Sequence, residues 1–127
     1  MTVCDGAQTN KFGKMNSSSS IFLDYLKSST KPLLADGGMG TMLNSKGIGF
    51  EQCLDELNLT DPNLVREIHQ AYIDAGSEII QTNTFGANRY KLSEHDLGIQ
   101  VTEINRAGAA IAQQTVSSSG KDVFVAG

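Results

Sequence analysis

The sequence predicts an α/β protein built around a parallel sheet. Three short apolar segments, at 32–36, 77–85 and 121–127, have the length and composition of strands. Two longer segments, at 60–76 and 99–117, separate them and carry apolar residues at helical spacing. Strand, helix, strand, helix, strand is the order typical of parallel strands joined by right-handed crossovers.

Composition limits the classes of protein to consider. The chain has 127 residues, of which 39% are apolar and 19% charged, as in one globular domain or less. No apolar run approaches the ~18 residues that cross a bilayer, and the N-terminus does not read as a secretory signal. A net charge of −4 without a basic cluster argues against nucleic acid or an anionic membrane as partner. Cys4 and Cys53 fit no disulfide or metal spacing, so we expect free thiols in a cytoplasmic protein.

The first part of the chain divides into a leader and the start of the fold. Residues 1–20 are polar and end in a serine run, which predicts a flexible leader before a domain at 21–127. Ser20 is positioned to cap a short helix that begins at Ile21. "PLLAD" at 32–36 predicts a buried strand. A short helical piece is expected within 41–50, and 51–59 should be irregular or briefly helical.

The strongest element is the helix in "TDPNLVREIHQAYIDAG", residues 60–76. Thr60 is the expected N-cap, Pro62 occupies the first turn and Gly76 ends the helix. Apolar residues at helical spacing predict one core-facing stripe: Leu64, Ile68, Ala71, Tyr72 and Ala75. His69 is expected to be a surface or packing histidine rather than a ligand.

The second half predicts a strand, a helix and a strand. Ile79 and Ile80 are central to "SEIIQTNTF" at 77–85. The helix at 99–117 should bury one face, made of Val101, Ile104, Gly108 and Ile111. "KDVFVAG" at 121–127 reads as a third strand with no helix after it. Because parallel sheets need both faces covered, we expect this chain to be a fragment of a larger fold.

Two polar clusters follow predicted strands, at the ends where α/β folds bind ligands. In "DGGMGT", Asp36 could hold an ammonium group, while Gly37 and Gly38 expose backbone amides that could approach a carboxylate. An amino-acid zwitterion needs both. The spacing is equally compatible with a glycine turn in which Asp36 only caps the next helix.

The second cluster is "TNTFGAN", which begins at Thr82. Period two places Thr82 and Thr84 on one side of the strand end, and Asn83 and Phe85 on the other. One pair should face the ligand end, although a polar strand terminus satisfied by loop backbone would have the same pattern. His95 lies in a loop where nothing nearby completes a metal site.

The segments "LLADGGMGT", "LNLTDPNLVREIHQAYIDAGSEIIQTNTFGANRYKL" and "VFVAG" together resemble the homocysteine S-methyltransferase family. The likeness runs from about Lys31 to Gly127. It implies the N-terminal portion, about three βα units, of a (β/α)8 TIM barrel. It also implies a transferase of methionine biosynthesis, in which homocysteine accepts a methyl group from a donor.

The resemblance assigns roles to residues of both clusters. It implies that Asp36, Gly37 and Gly38 bind the amino and carboxylate groups of homocysteine, and that Thr82, with Thr84 and Phe85, lines the same pocket. It implies zinc as the ion that binds the thiol and lowers its pKa, and cobalamin or folate through other domains. The family's cysteine zinc motifs are missing from this sequence, so we assign no metal ligand and no catalytic residue here.

Two alternatives stay open at the level of sequence. The chain could be a truncated, inactive barrel fragment that acts, if at all, as an assembly partner through its open sheet edge. It could also be an unrelated small α/β domain that uses "DGGMG" as a phosphate or nucleotide loop, although the lysine and the spacing of the known loops are missing.

Overall fold

The computed structural model describes residues 21–127, and the chain divides into two units, 1–32 and 33–127. Within the first unit, helix α1 spans Ile21–Ser28, as the sequence predicts. The predicted leader at 1–20 and the predicted cap Ser20 lie outside the described residues. Among residues 21–127, no helix combines the length and apolar character needed to cross a bilayer.

The sheet of the second unit is parallel, which confirms the predicted fold class at that level. Strand β1 is Ile79–Gln81 and strand β2 is Phe124–Ala126. They pair in parallel with Ile79 opposite Phe124 and Gln81 opposite Ala126. Ala35 adds one parallel bridge to Ile79, so β1 lies between the 33–36 segment and β2.

The prediction of a buried first strand at 32–36 is wrong in extent and in burial. Only Ala35 has bridge geometry, supported by the N–H of Asp36, which donates to the carbonyl of Ile79 at 2.9 Å. Pro32 has no N–H to extend the ladder. Leu34 is 56% exposed and belongs to none of the three clusters of buried side chains in the second unit.

Helices cover most of the second unit. After the bridge come α2 (Met39–Ser45), a 3-10 turn (Leu54–Glu56), α3 (Leu57–Thr60), α4 (Pro62–Asp74), α5 (Arg89–Ser93) and α6 (Val101–Ser119). The predicted short helices before residue 60 are therefore confirmed. The sequence analysis did not predict α5, a five-residue helix whose N-cap Asn88 accepts the N–H of Lys91 at 3.1 Å.

The start of α4 differs from the prediction by one residue. Asp61, not Thr60, is the N-cap, and its Oδ1 accepts the N–H of Leu64 at 3.2 Å. Thr60 is the last residue of α3, where its hydroxyl donates to the carbonyl of Glu56 at 3.2 Å. Pro62 in the first turn is confirmed, as is Gly76 after the end of the helix, with φ of +104°.

The buried face of α4 is rotated from the predicted stripe. Ile68 is buried as predicted, but Ala71 and Ala75 are exposed. The residues that α4 buries are Val65, Ile68, His69 and Ile73. Apolar residues occupy a wide arc of this helix, so periodicity defines the arc, and the packing partners decide which part of it is covered.

Helix α6 joins the three clusters of buried side chains. As predicted, Ile104, Gly108 and Ile111 are buried on one face. Ile111 packs with residues of α2, α3 and α4, Ala112 with residues of α4 and the sheet, and Ile104 with the region around α5. A single helix thus packs against the sheet, against α2, α3 and α4, and against the region around α5.

Candidate functional site

An open cleft of about 450 Å³ lies where the 33–36 segment and β1 end. Five of the six predicted site residues line it: Asp36, Gly37, Gly38, Thr82 and Phe85. Thr84 is not part of the lining. Since parallel segments end at the same edge of a sheet, two clusters 46 residues apart in sequence come together here, counting from Asp36 to Thr82.

Asp36 is tied to the neighbouring strand rather than to the next helix. Its Oδ2 accepts the backbone N–H of Gln81 at 2.9 Å. The N-cap of α2 is Gly38, which makes no side-chain cap hydrogen bond. The simpler interpretation, that Asp36 only caps this helix, is therefore wrong. Partial burial raises the pKa of the Asp36 carboxyl, and the hydrogen bond from Gln81 acts against this by favouring the carboxylate.

Gly37 and Gly38 lie against α4. A Cβ atom at Gly37 would come within 3.0 Å of Oη of Tyr72, so a side chain there would displace the tyrosine. The same hydroxyl donates to the carbonyl of Gly38 at 3.2 Å. The absence of a side chain at Gly37 thus allows a close approach between the turn and α4, while both glycines stay exposed at the cleft.

The threonines after β1 lie on one side, as predicted. The hydroxyl oxygens of Thr82 and Thr84 are 2.7 Å apart. The N–H of Thr82 donates to the carbonyl of Ala126 at 2.8 Å, which continues the pairing with β2 by one residue. Thr82 is therefore fixed by backbone and side chain, and Thr84 acts as its hydroxyl partner.

Asn83 and Phe85 do not share an environment, contrary to the period-two prediction. Asn83 is 7% exposed and Phe85 is 93% exposed. The chain turns directly after β1, where the N–H of Thr84 donates to the carbonyl of Thr82 at 2.8 Å. Alternation holds only in an extended strand, so it fails at this turn.

The sequence analysis missed Asp55, which also lines the cleft. Its Oδ1 accepts the N–H of Gly86 at 3.0 Å. Burial raises the pKa of the Asp55 carboxyl, and the hydrogen bond from the N–H of Gly86 acts against this by favouring the carboxylate. No local pattern marks this residue, because its partner is 31 positions away.

The remaining histidine and cysteine of interest have different roles in the fold. His69 is fully buried, and neither ring nitrogen has a hydrogen-bond partner among the described residues. Burial lowers its pKa to about 4, so it packs as a neutral ring. Cys53 lines the cleft with a thiol whose pKa is raised by burial.

Comparison with known proteins identifies the family. The family model described as homocysteine S-methyltransferase matches residues 33–127. The chain belongs to the homocysteine S-methyltransferase family. The matched range coincides with the second unit of the structure and contains the whole cleft.

Two mycobacterial proteins are similar in sequence to this homocysteine S-methyltransferase segment. Methionine synthase of Mycobacterium tuberculosis (strain ATCC 25618 / H37Rv) is 34% identical over 104 residues, which cover 77% of this chain and 9% of that protein. Methionine synthase of Mycobacterium leprae (strain TN) is 33% identical over 88 residues, covering 65% of this chain and 7% of that protein. The chain thus spans less than a tenth of the length of these relatives.

Solved structures share the fold. The homocysteine methyltransferase MmuM from Escherichia coli, in its oxidized form, superposes with a TM-score of 0.71 at 24% identity. The match covers 83% of this chain and 39% of that chain. The metallated form gives a TM-score of 0.69 at 23% identity, with coverages of 82% and 39%. The mixed α/β structure therefore resembles part of a homocysteine methyltransferase.

The zinc that the resemblance implies does not fit the residues of this homocysteine S-methyltransferase segment. Among residues 21–127, no three His, Cys, Asp or Glu side chains are grouped so that they could hold a metal ion. Cys53, Asp55 and His95 line the same cleft but form no such group. The cleft instead offers a carboxylate, glycine backbone and a threonine hydroxyl, which suit a polar organic ligand.

Proposed function

We propose that residues 33–127 form the part of a homocysteine S-methyltransferase that binds the amino-acid end of homocysteine. The protein containing them would be a cytoplasmic methyltransferase that makes methionine. One observation carries this proposal: Asp36, Gly37, Gly38 and Thr82 line one cleft at the ends of adjacent parallel segments. Membership of the family supports homocysteine as the ligand of that cleft.

The assigned roles follow from charge and hydrogen bonding. The carboxylate of Asp36 pairs with the ammonium group of homocysteine, since a charge-assisted hydrogen bond at a half-buried site is stronger than one between neutral groups. The backbone at Gly37 and Gly38 receives the substrate carboxylate, because no side chain blocks its approach. Thr82 and Phe85 line the same cleft, and the hydroxyl of Thr84 is the hydrogen-bond partner of Thr82.

The reaction is a transfer of a methyl group to sulfur. The homocysteine sulfur forms the new S–C bond while the bond between the methyl group and its donor breaks, and the thiol proton is lost to solvent. Described residues of this chain provide binding and orientation for this step. They offer no zinc site, so the proposal assigns no part of the reaction to a metal held by residues 21–127.

We further infer that these residues are the first βα units of a (β/α)8 barrel. Such a barrel takes roughly 250 residues, and the likeness to MmuM, at a TM-score of 0.71 over 39% of that chain, supports the assignment. The alternative that this chain is a truncated, inactive barrel fragment concerns activity rather than fold, and the experiment below decides it. Family membership gives no support to an unrelated nucleotide-binding domain.

The test is methionine formation by the complete product of the encoding gene. L-homocysteine is supplied with each of three donors in turn: methyltetrahydrofolate with cobalamin, betaine, and S-methylmethionine. We expect methionine with one of them, and loss of most activity in Asp36→Asn, which removes the charge and keeps the shape. Asp96→Asn is the matched control, because Asp96 is exposed and lies outside the cleft.

Each outcome has a distinct meaning. Methionine formation that depends on Asp36 supports both the activity and the site. Activity that survives Asp36→Asn would retain the reaction and refute the assigned role of Asp36. Absence of methionine with all three donors would refute the proposed activity and favour the inactive fragment.

A further inference from the structure

The turn at 82–86, which carries Thr82 and Phe85, is held by residues 54–58. The carbonyl of Leu54 accepts a hydrogen bond from Nδ2 of Asn83 at 2.8 Å. One residue later, Oδ1 of Asp55 accepts the N–H of Gly86 at 3.0 Å. The turn is thus fixed near its middle and at its end by a segment about 30 residues earlier in the chain.

Asn58 completes this arrangement through a reciprocal pair with Asn83. Nδ2 of Asn58 donates to the backbone carbonyl of Asn83 at 2.7 Å, and Nδ2 of Asn83 donates to Oδ1 of Asn58 at 3.2 Å. The second N–H of Asn58 goes to the carbonyl of Ile104 in α6 at 3.3 Å. All four side-chain N–H groups of the two asparagines therefore have acceptors.

This pair is buried: Asn58 is 3% exposed and Asn83 is 7% exposed. Loss of one partner in such a network leaves buried donors and acceptors without hydrogen bonds, at their full desolvation cost. The turn would escape that cost only by moving Asn83 toward water. Because Thr82 and Thr84 flank Asn83, such a movement would displace both hydroxyl groups.

Helix α6 packs closely against the same hydrogen-bond network at Gly108. A Cβ atom there would lie 2.7 Å from Nδ2 of Asn58 and 2.7 Å from Cγ2 of Thr84. Neither distance is possible without a shift of the asparagine or the threonine. The absence of a side chain at Gly108 therefore lets Asn58 and the turn occupy their observed positions.

We propose that Asn58 is a positioning residue for the cleft: it holds the 82–86 turn so that Thr82 and Phe85 face an amino-acid ligand. This rests on the proposed function, since homocysteine is the ligand in question. Asn58 does not line the cleft and acts only through Asn83. Its loss should therefore weaken ligand binding even in a variant that is still folded, which a loss of stability alone would not do.

The experiment measures the dissociation constant of L-homocysteine by calorimetry on the complete gene product, under reducing conditions. Asn58→Ala is compared with Asn105→Ala at a temperature where circular dichroism shows each variant folded. Asn105 is the matched control, because its Nδ2 also donates to two backbone carbonyls, those of Ala87 and Val101, each at 2.7 Å. Both of these acceptors lie outside residues 82–84.

We expect Asn58→Ala to weaken homocysteine binding about tenfold, roughly the contribution of one hydrogen bond, because the displaced turn no longer presents Thr82 to the ligand. Asn105→Ala should lose stability while its dissociation constant stays within about twofold of the unmodified protein. Equal weakening in both variants, or none in Asn58→Ala, would refute the positioning role alone. Failure of the unmodified protein to bind homocysteine would refute the proposed function and this inference with it.

A second variant covers the case in which Asn58→Ala does not fold. Gly108→Ala removes no polar group and favours the helical conformation of α6, but it displaces Asn58 and Thr84. We expect it to weaken homocysteine binding as well. Unchanged affinity in a folded Gly108→Ala protein would count against the inference, because the network would then tolerate displacement without effect on the cleft.

Discussion

The two turns that form the cleft are stabilised in opposite ways. The turn at 36–38 is exposed or half-buried, and the side chains that hold it are few: Asp36 accepts the N–H of Gln81, and Tyr72 donates to the carbonyl of Gly38. The turn at 82–86 contains two buried residues, Thr82 and Asn83. Its backbone and the side chain of Asn83 make hydrogen bonds to Leu54, Asp55 and Asn58, and Asn58 is held in turn by the carbonyl of Ile104.

This difference separates two kinds of contribution to binding. The first turn leaves charged and backbone groups facing the cleft, so it can supply most of the interaction with a ligand. Most polar groups of the second turn are hydrogen-bonded to other residues of the protein, so this turn supplies a rigid wall of the cleft. Variants in the first turn should therefore affect ligand binding more than stability. Variants in the second turn should affect stability at least as much as they affect ligand binding.

The largest expected effect on ligand binding follows from removing the charge of the first turn. Asp36→Asn should weaken L-homocysteine binding by about 10- to 100-fold, the range expected for a charge-assisted hydrogen bond. The free energy of unfolding should change little, because the amide oxygen can still accept the N–H of Gln81. Calorimetric titration and urea unfolding measure the two quantities. A loss of stability that accounts for the loss of binding would contradict the contrast between the turns.

Acid should destabilise the fold through His69, which lies one turn before Tyr72 on α4. The folded pKa is about 4, against about 6.5 in the unfolded chain, so the unfolded state binds the proton first. Stability should be fully present above pH 6.5 and fall by up to about 3 kcal/mol between pH 6.5 and 4.

Comparison with His69→Leu isolates this effect. Asp36 and Asp55 have raised pKa values and act in the opposite direction, but they are unchanged in the variant and cancel in the difference. Parallel pH profiles for the unmodified chain and His69→Leu, from urea unfolding at several pH values, would rule out this origin.

Close packing in the second turn predicts an effect of intermediate size on the free energy of unfolding. A Cβ atom at Gly86 would lie 2.5 Å from Oδ2 of Asp55, so Gly86→Ala should destabilise the fold by about 1–3 kcal/mol, as expected for overpacking. Gly40→Ala is the matched variant beside the first turn, in α2, where a Cβ would meet only a methyl group of Leu54 at 3.3 Å. It should change the free energy of unfolding by about 1 kcal/mol or less. Thermal unfolding of the two variants decides whether the turns differ.

The smallest expected effect concerns Thr84, which the sequence analysis placed in the pocket and which does not line the cleft. Thr84→Val removes the hydroxyl that lies 2.7 Å from that of Thr82 and should cost about 1 kcal/mol of stability. Homocysteine affinity should stay within about twofold. Thr82→Val, at a residue that lines the cleft, should reduce affinity more, and calorimetry on both variants would expose a reversed order.

The sequence by itself determined much of the architecture. Alternating apolar segments predicted the parallel sheet, and helical spacing with Pro62 and Gly76 predicted α4. The motif beginning at Asp36 predicted a polar site after the first strand segment, and five of the six predicted site residues do line the cleft. The helix and the polar motif are local features, so a short window of residues contains the information that specifies them.

Only the tertiary structure decided the remaining features, because each depends on partners distant in sequence. Packing against other elements selected which part of the apolar arc of α4 is buried. The first strand is present only as a bridge from Ala35 to Ile79, 44 positions later in the chain. The turn after Gln81 ended the alternation that would have paired Asn83 with Phe85. Asp55 and Asn58 became part of the cleft's support through hydrogen bonds to residues 31 and 25 positions away, which no local pattern encodes.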